Sequence, residues 1–181
     1  MKKTFSNFLI LISLVSAQAC TTETTPTTLF DIPTTANDSP PPATLEIGGV
    51  SQTAGVGTYC WNTQTGTGEM VDACVDKVGI PTAQEPLPSS SPVTARLSLE
   101  LNETPNQLTL SAFQVTSAHE LPETAGGYRW WTYTEGFTSE LSPQTSQEIN
   151  LELDPGLYVF YVFAVWEGKG DVSYGFLVEV A

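Results

Sequence analysis

The chain has 181 residues, with six Lys and Arg against twenty Asp and Glu, one His and three Cys, and a formal charge of −14 at neutral pH. A surface this acidic repels phosphate backbones and anionic headgroups, which excludes nucleic acid as a partner. A single histidine and three cysteines leave too few soft ligands for a zinc or copper centre, so neither a metal nor a cofactor is expected.

Residues 1–19 read as a signal peptide. Lys2 and Lys3 give a basic start, Phe8 to Val15 is a short apolar run, and Ala17-Gln18-Ala19 places small residues where a signal peptidase cleaves. The run is far shorter than the roughly 20 residues a membrane-spanning helix needs. Cys20 follows directly, and Ser16-Ala17-Gln18-Ala19-Cys20 resembles a bacterial lipobox, with Ala17 where Leu is usual. The resemblance implies a diacylglyceryl group on Cys20 and a membrane partner reached through that lipid; ordinary cleavage at the same bond is the alternative. Lipidating Cys20 leaves Cys60 and Cys74 as an even pair for an oxidising compartment. The expected location is the outer side of the cytoplasmic membrane or the cell surface. With Lys2 and Lys3 removed, only Lys77, Arg96, Arg129 and Lys169 face the twenty acidic residues, a formal charge of −16.

Residues 20–44 are dominated by Thr and Pro, including Pro40-Pro41-Pro42, and only Leu29, Phe30 and Ile32 are sizeable apolar residues. Such a segment cannot bury enough to order itself, and as a flexible coil it spans roughly 25–30 Å. It reads as a tether. Residues 45–181 are about one domain's worth of chain. We divide them into an irregular lobe at 45–92 and the strands of a sandwich at 93–181.

In the lobe, Gly57-Thr-Tyr-Cys-Trp61 and Ala73-Cys-Val-Asp76 are two short extended pieces. A Cys60–Cys74 disulfide would close a loop of about 15 residues, worth on the order of 3 kcal/mol by loop-closure entropy. Further on, Val93 to Leu101 and Gln147 to Leu153 alternate apolar and polar residues, the period of a strand with one wet face. Gln107 to Val115 and Tyr128 to Thr134 read as strands between turn-forming residues. Leu157 to Trp166 is apolar on both faces, as in a central strand covered on two sides, and Gly168-Lys-Gly-Asp171 turns it into Val172 to Val180. The fold class is therefore all-β, an antiparallel sandwich. Its approach at Leu153-Asp154-Pro155-Gly156-Leu157-Tyr158 resembles the tyrosine corner of immunoglobulin and fibronectin type III domains. That likeness implies that Pro155 and Gly156 form the corner and that Tyr158 pins it.

Gly57-Thr-Tyr-Cys-Trp61 with a second Cys soon after, and Trp166-Glu-Gly-Lys-Gly-Asp-Val-Ser-Tyr-Gly-Phe176, resemble segments of a family of small, uncharacterised bacterial lipoproteins and secreted proteins with an immunoglobulin-like domain. The resemblance implies export and a β-sandwich, and no activity.

Chemistry-bearing constellations are sparse. His119 sits in Ser117-Ala-His-Glu-Leu-Pro122, which reads as an exposed turn, and no Gly-x-Ser-x-Gly elbow accompanies it. Asp72 with Asp76, and Glu167 with Asp171, lack the spacing of a calcium loop. The aromatic residues are more informative. In Tyr128-Arg-Trp-Trp-Thr-Tyr133 alternate residues share a face, so Trp131 and Tyr133 lie opposite Trp130. One face should be core; the other either presents an aromatic platform or lies under a covering loop such as Pro81 to Pro92. Tyr59 and Trp61 pose the same choice. The binding candidates are thus Tyr59, Trp61, Trp130, Trp131 and Tyr133. The expected function is a non-catalytic surface recognition or structural module for an extracellular protein or glycan. An inhibitor or accessory subunit of an extracellular enzyme, displaying Asn62 to Gly68, is the second class, and a two-carboxylate hydrolase the third.

The anchor is open to a direct check. The mature chain should partition into detergent and carry acyl mass on Cys20, whereas Cys20→Ser should stay in the aqueous phase; equal partitioning of the two would rule the anchor out.

Overall fold

The computed structural model describes residues 39–64, 67–120 and 129–181. The expected signal peptide, Cys20 and most of the expected tether lie outside them. The described residues form strands and no helix. Two antiparallel sheets face each other, an immunoglobulin-like sandwich. The first holds β1 (Ala43–Ile47), β2 (Val50–Thr53), β6 (Val93–Leu99) and β10 (Ser146–Leu151) in the order β10-β6-β1-β2. The second runs β4 (Met70–Val75), β3 (Gly55–Gln64), β12 (Gly170–Val180), β11 (Gly156–Trp166), β7 (Gln107–Glu120), β8 (Arg129–Tyr133). Two short strands join it from the side: β5 (Leu87–Ser89) pairs in parallel with the end of β12, and β9 (Phe137–Glu140) pairs with β7 before β8 takes over. With β6 between β1 and β10, and β11 between β7 and β12, the strand order is the one found in immunoglobulin-like domains.

Alternation builds the core. Along β6, Val93, Ala95, Leu97 and Leu99 are buried while Thr94 and Arg96 face water. They meet Leu45 of β1 and Tyr158, Phe160, Val162, Tyr174 and Phe176 from the opposing sheet in one apolar cluster. Each large side chain so buried contributes about 1.5–3 kcal/mol relative to exposure.

Three polar contacts fix the frame. The Tyr158 hydroxyl donates to the Asp154 carbonyl at 3.0 Å, closing the corner before β11. The Tyr174 hydroxyl, buried between the sheets, donates to the Pro41 carbonyl. Buried Gln52 of β2 bridges to the other sheet: its amide donates to the Glu85 carbonyl at 2.8 Å, and its oxygen accepts from the Leu177 N–H at 3.0 Å. Leu177 needs this, because it falls between the stretch of β12 paired with β3, which ends at Gly175, and the stretch paired with β5, which begins at Val178.

Several boundaries differ from the sequence reading. Residues 45–92 are no separate lobe: β1 and β2 belong to the four-stranded sheet, β3 and β4 extend the other, and β5 closes along β12. The short, Gly-interrupted strands hid this, because their apolar partners lie far away in sequence. The domain begins before residue 45, since Pro40 and Pro41 are buried and Ala43 pairs with Leu99. A prolyl carbonyl still accepts a hydrogen bond although the residue has no N–H to give. His119 lies in β7, not in a turn, and β9 was not foreseen because all four of its residues are exposed. The Cys60–Cys74 disulfide is present and joins residues directly opposite each other on β3 and β4, with Cα atoms 4.1 Å apart.

Burial raises the Tyr174 phenol well above its ordinary value, and burial with the Asp154 charge raises Tyr158. The unfolded chain therefore loses these protons near pH 10 while the folded chain keeps them. Their contribution is complete below about pH 10 and falls as pH rises further. Tyr174→Phe, which leaves the Pro41 carbonyl without its donor, should cost about 1–3 kcal/mol in urea denaturation at neutral pH. It should also flatten the alkaline loss. Unchanged stability at both pH values would contradict this role for the hydroxyl.

Candidate functional site

The outer face of the eight-stranded sheet, turned away from the sandwich core, carries unusual apolar content. Leu157, Val159, Tyr161, Phe163 and Val165 of β11 point there, beside Phe113 and Val115 of β7 and Leu177 of β12. Part of this face is covered. The segment after β4 runs back across the sheet, and Ile80 and Trp131 pack with Val159 and Leu177 in a second apolar cluster. The Trp131 indole N–H donates to the Thr82 hydroxyl at 3.1 Å, tying β8 to this strap.

Two glycines seat the strap. Gly55 and Gly175 are register partners on β3 and β12. A Cβ at Gly55 would lie 2.3 Å from the Pro81 carbonyl oxygen, and one at Gly175 would lie 2.2 Å from it and 2.6 Å from Ile80 Cγ2. The backbone crosses the sheet where side chains are missing.

The cover ends at Gly79 and Ile80, and beyond it lies an open cleft of about 410 Å³. Its floor comes from Ser111 and Phe113 of β7, Tyr161 of β11 and Ser173 of β12; Thr58, Ile80 and Tyr133 form the walls. Phe113 stacks on Tyr133 with ring centroids 4.6 Å apart and planes at 27°, and it meets Tyr161 at 6.5 Å and 53°. Tyr133 is 38% exposed despite its size. The hydroxyls are arranged in pairs. Ser111 and Thr138 share a hydrogen bond of 2.7 Å, Ser173 donates to the Thr58 carbonyl at 3.0 Å, and the Thr58 hydroxyl donates to the Asp76 carboxylate at 3.1 Å. The Tyr133 and Tyr161 hydroxyls make no hydrogen bond among the described residues. No described residue lining the cleft is charged.

Of the five aromatic candidates from sequence, Tyr133 lines the cleft. Trp131 shares its face but lies under the strap, 6% exposed. Trp61 belongs to the core, 3% exposed and edge-on to Trp166 at 5.5 Å, and Tyr59 packs half-buried against the same cluster. The Trp130 side chain lies outside the described residues. Phe113, Tyr161 and the three hydroxyl residues of the cleft were not singled out in the sequence. The one signal for them was the second apolar face of β11, which marks a surface needing cover without saying how much receives it.

The other candidates are not gathered into the cleft. His119 Nε2 lies 3.0 Å from Ser117 Oγ and 2.8 Å from Thr132 Oγ1 on the β7–β8 hairpin, so two hydroxyls share the one ring nitrogen. Asp72, Glu167 and Asp171 lie on or beside β4 and β12, and among the described residues no three His, Cys, Asp or Glu side chains form a group that could hold a metal.

No protein-family model matches the chain, and no curated protein matches it. Among solved structures, the chain is similar to the crystal structure of the PmoD soluble domain from Methylocystis sp. ATCC 49242 (Rockwell), with 12% identity and a TM-score of 0.35. The match covers 76% of this chain and 97% of that one, and nothing about the site rests on it.

Gly175→Ala should lift the strap. The expected result is a stability loss of about 1–3 kcal/mol, the usual cost of overpacking. Acrylamide quenching of tryptophan should increase, and the increase should vanish in a Trp131→Phe background. Unchanged quenching would mean that the strap does not depend on the two glycines.

Proposed function

We propose that the protein is an exported, lipid-anchored and non-catalytic recognition module, and that it binds its ligand in the open cleft on the outer face of the eight-stranded sheet. The carrying observation is that a cluster of three aromatic rings, Tyr133 stacked on Phe113 with Tyr161 tilted against it and Tyr133 substantially exposed, lies at the mouth of a cleft where the strap stops. Apolar rings left accessible on an otherwise acidic and hydrophilic protein are costly unless something covers them in use. The position suits display. The signal and lipobox pattern at residues 1–20, followed by the Thr/Pro-rich segment, would hold the domain clear of a membrane with this face free.

The cleft also fits binding better than turnover. Its floor offers rings and hydroxyls, and among the described residues a carboxylate comes near only through Asp76, which accepts from Thr58. The rigid central strands beneath it present a preformed surface, which lowers the ordering cost of binding.

Photocrosslinking in cells tests the site. A benzophenone amino acid replacing Tyr133 should capture an envelope component, whereas the same group replacing Glu46, which is exposed on β1 of the other sheet, should not. Equal capture from both positions, or none from either, would remove the cleft as the binding face.

A further inference from the structure

We infer that the cleft takes a neutral carbohydrate, with a sugar ring laid on the open side of Tyr133, whose other side stacks on Phe113, and its hydroxyls met by that of Tyr161 and, at the nearly buried floor, those of Ser111 and Ser173. This deepens the recognition reading above and rests on it. Three features of the cleft select this ligand class.

The first is charge. Among the described residues the lining is uncharged, so it offers no cation to fix an anionic group. Of the four basic residues outside the leader, Lys77 donates to the Val56 carbonyl at 2.7 Å, Arg96 and Lys169 pair with Glu148 and Glu103, and the Arg129 side chain lies outside the described residues. With the field of the whole chain strongly negative, anionic polymers are repelled before they reach the site. A cationic ligand would be drawn towards the protein, yet among the described residues the lining offers it no carboxylate, and Asp76, next to the lining residue Thr58, already accepts from that hydroxyl.

The second is the hydrogen-bonding character. The Ser173 hydroxyl spends its proton on the Thr58 carbonyl and therefore offers lone pairs. Ser111 and Thr138 share one proton between them and keep one to give. The Tyr133 and Tyr161 hydroxyls are free to do either among the described residues. A mixture of donors and acceptors suits sugar hydroxyls, each of which both donates and accepts. An oxyanion would call for donors alone.

The third is that the cleft lies on a sheet face rather than an edge. Its floor is built on β7, β11 and β12, interior strands whose backbone groups are mostly used by neighbouring strands, the ladder to β3 being broken only by a bulge at Ser173. An extended peptide docks most readily at an edge, where free N–H and C=O groups meet its own backbone. Here a peptide would find side chains only and leave its amides unpaired. A sugar ring needs no backbone partner, and its C–H face packs on aromatic rings. The volume, about 410 Å³, lies within the range of small-molecule sites.

The test uses the mature chain carrying Cys20→Ser. It is titrated with neutral hexose and pentose oligosaccharides of three to six residues, alongside sulfated and uronic acid oligosaccharides of equal length, by calorimetry at low and high salt. We expect at least one neutral series to bind with an affinity unchanged by salt, and the anionic series to bind at least tenfold more weakly. Tyr133→Ala should weaken neutral binding by about tenfold or more, with only the modest fall in melting temperature expected from losing its stack on Phe113, and the variant should keep the wild-type circular dichroism spectrum. If no neutral sugar binds at millimolar concentration while crosslinking from position 133 captures a protein, the carbohydrate assignment fails and the cleft remains the binding face. If sugars bind equally well to the wild-type chain and to Tyr133→Ala, both the assignment and the cleft are wrong. If neither sugar binding nor crosslinking is seen, the recognition reading falls as well.

Discussion

The two apolar faces of β11 set the terms for everything around it. Its inner face, with Tyr158, Phe160, Val162 and Trp166, is satisfied by the opposing sheet in the manner of any sandwich. Its outer face is not, because an immunoglobulin-like sheet normally turns that side to water. Burying Leu157 and Val159 requires a second layer. The chain supplies one economically, with a single strap of backbone laid over Gly55 and Gly175 and pinned by the Trp131 indole. Covering only one end of the strand leaves Tyr161, Phe113 and Tyr133 at the boundary between dry and wet. The cleft follows from where the cover stops.

This also accounts for the insertion between β1 and β5. A minimal sandwich would pass from the first sheet to the second directly, through a strand such as β5 that runs parallel to β12. Here the chain makes the β3–β4 hairpin first. The hairpin widens the second sheet, adds Trp61 and Tyr59 to the core, and brings the chain to Asp76 on the side from which the strap departs. The Cys60–Cys74 bond closes the hairpin across directly paired residues at the sheet's margin, where β4 has only one neighbouring strand. By loop-closure entropy it constrains the unfolded chain most in the segment with the weakest apolar pattern.

The sequence revealed the elements whose signal is local. Alternation in β6 and β10, the double-faced run of β11, the hairpin to β12 and the corner at Tyr158 were all visible, because each depends on residues a few positions apart. The disulfide was legible from parity. What could not be read was long-range. Gly175 gives no hint that Pro81 crosses it, and Gln52 gives none that it completes β12 at Leu177. Trp131 and Tyr133 are two residues apart on one face, yet one is sealed and the other open, and only the reach of Thr82 and Ile80 separates them. A platform of tryptophans was the reading from the aromatic run; Trp131 is sealed under the strap, the Trp130 side chain lies outside the described residues, and the exposed ring at the cleft is Tyr133.

The central claim is that the open part of the outer face is where this domain meets its ligand. Amide chemical-shift mapping addresses it without any substitution, by titrating the isotopically labelled chain with a neutral oligosaccharide that binds. The account predicts that the largest shifts fall at Ser111, Phe113, Tyr133, Tyr161 and Ser173, with the four-stranded sheet unperturbed. Shifts centred on β1, β2 or β10, or along the β4 edge, would contradict it.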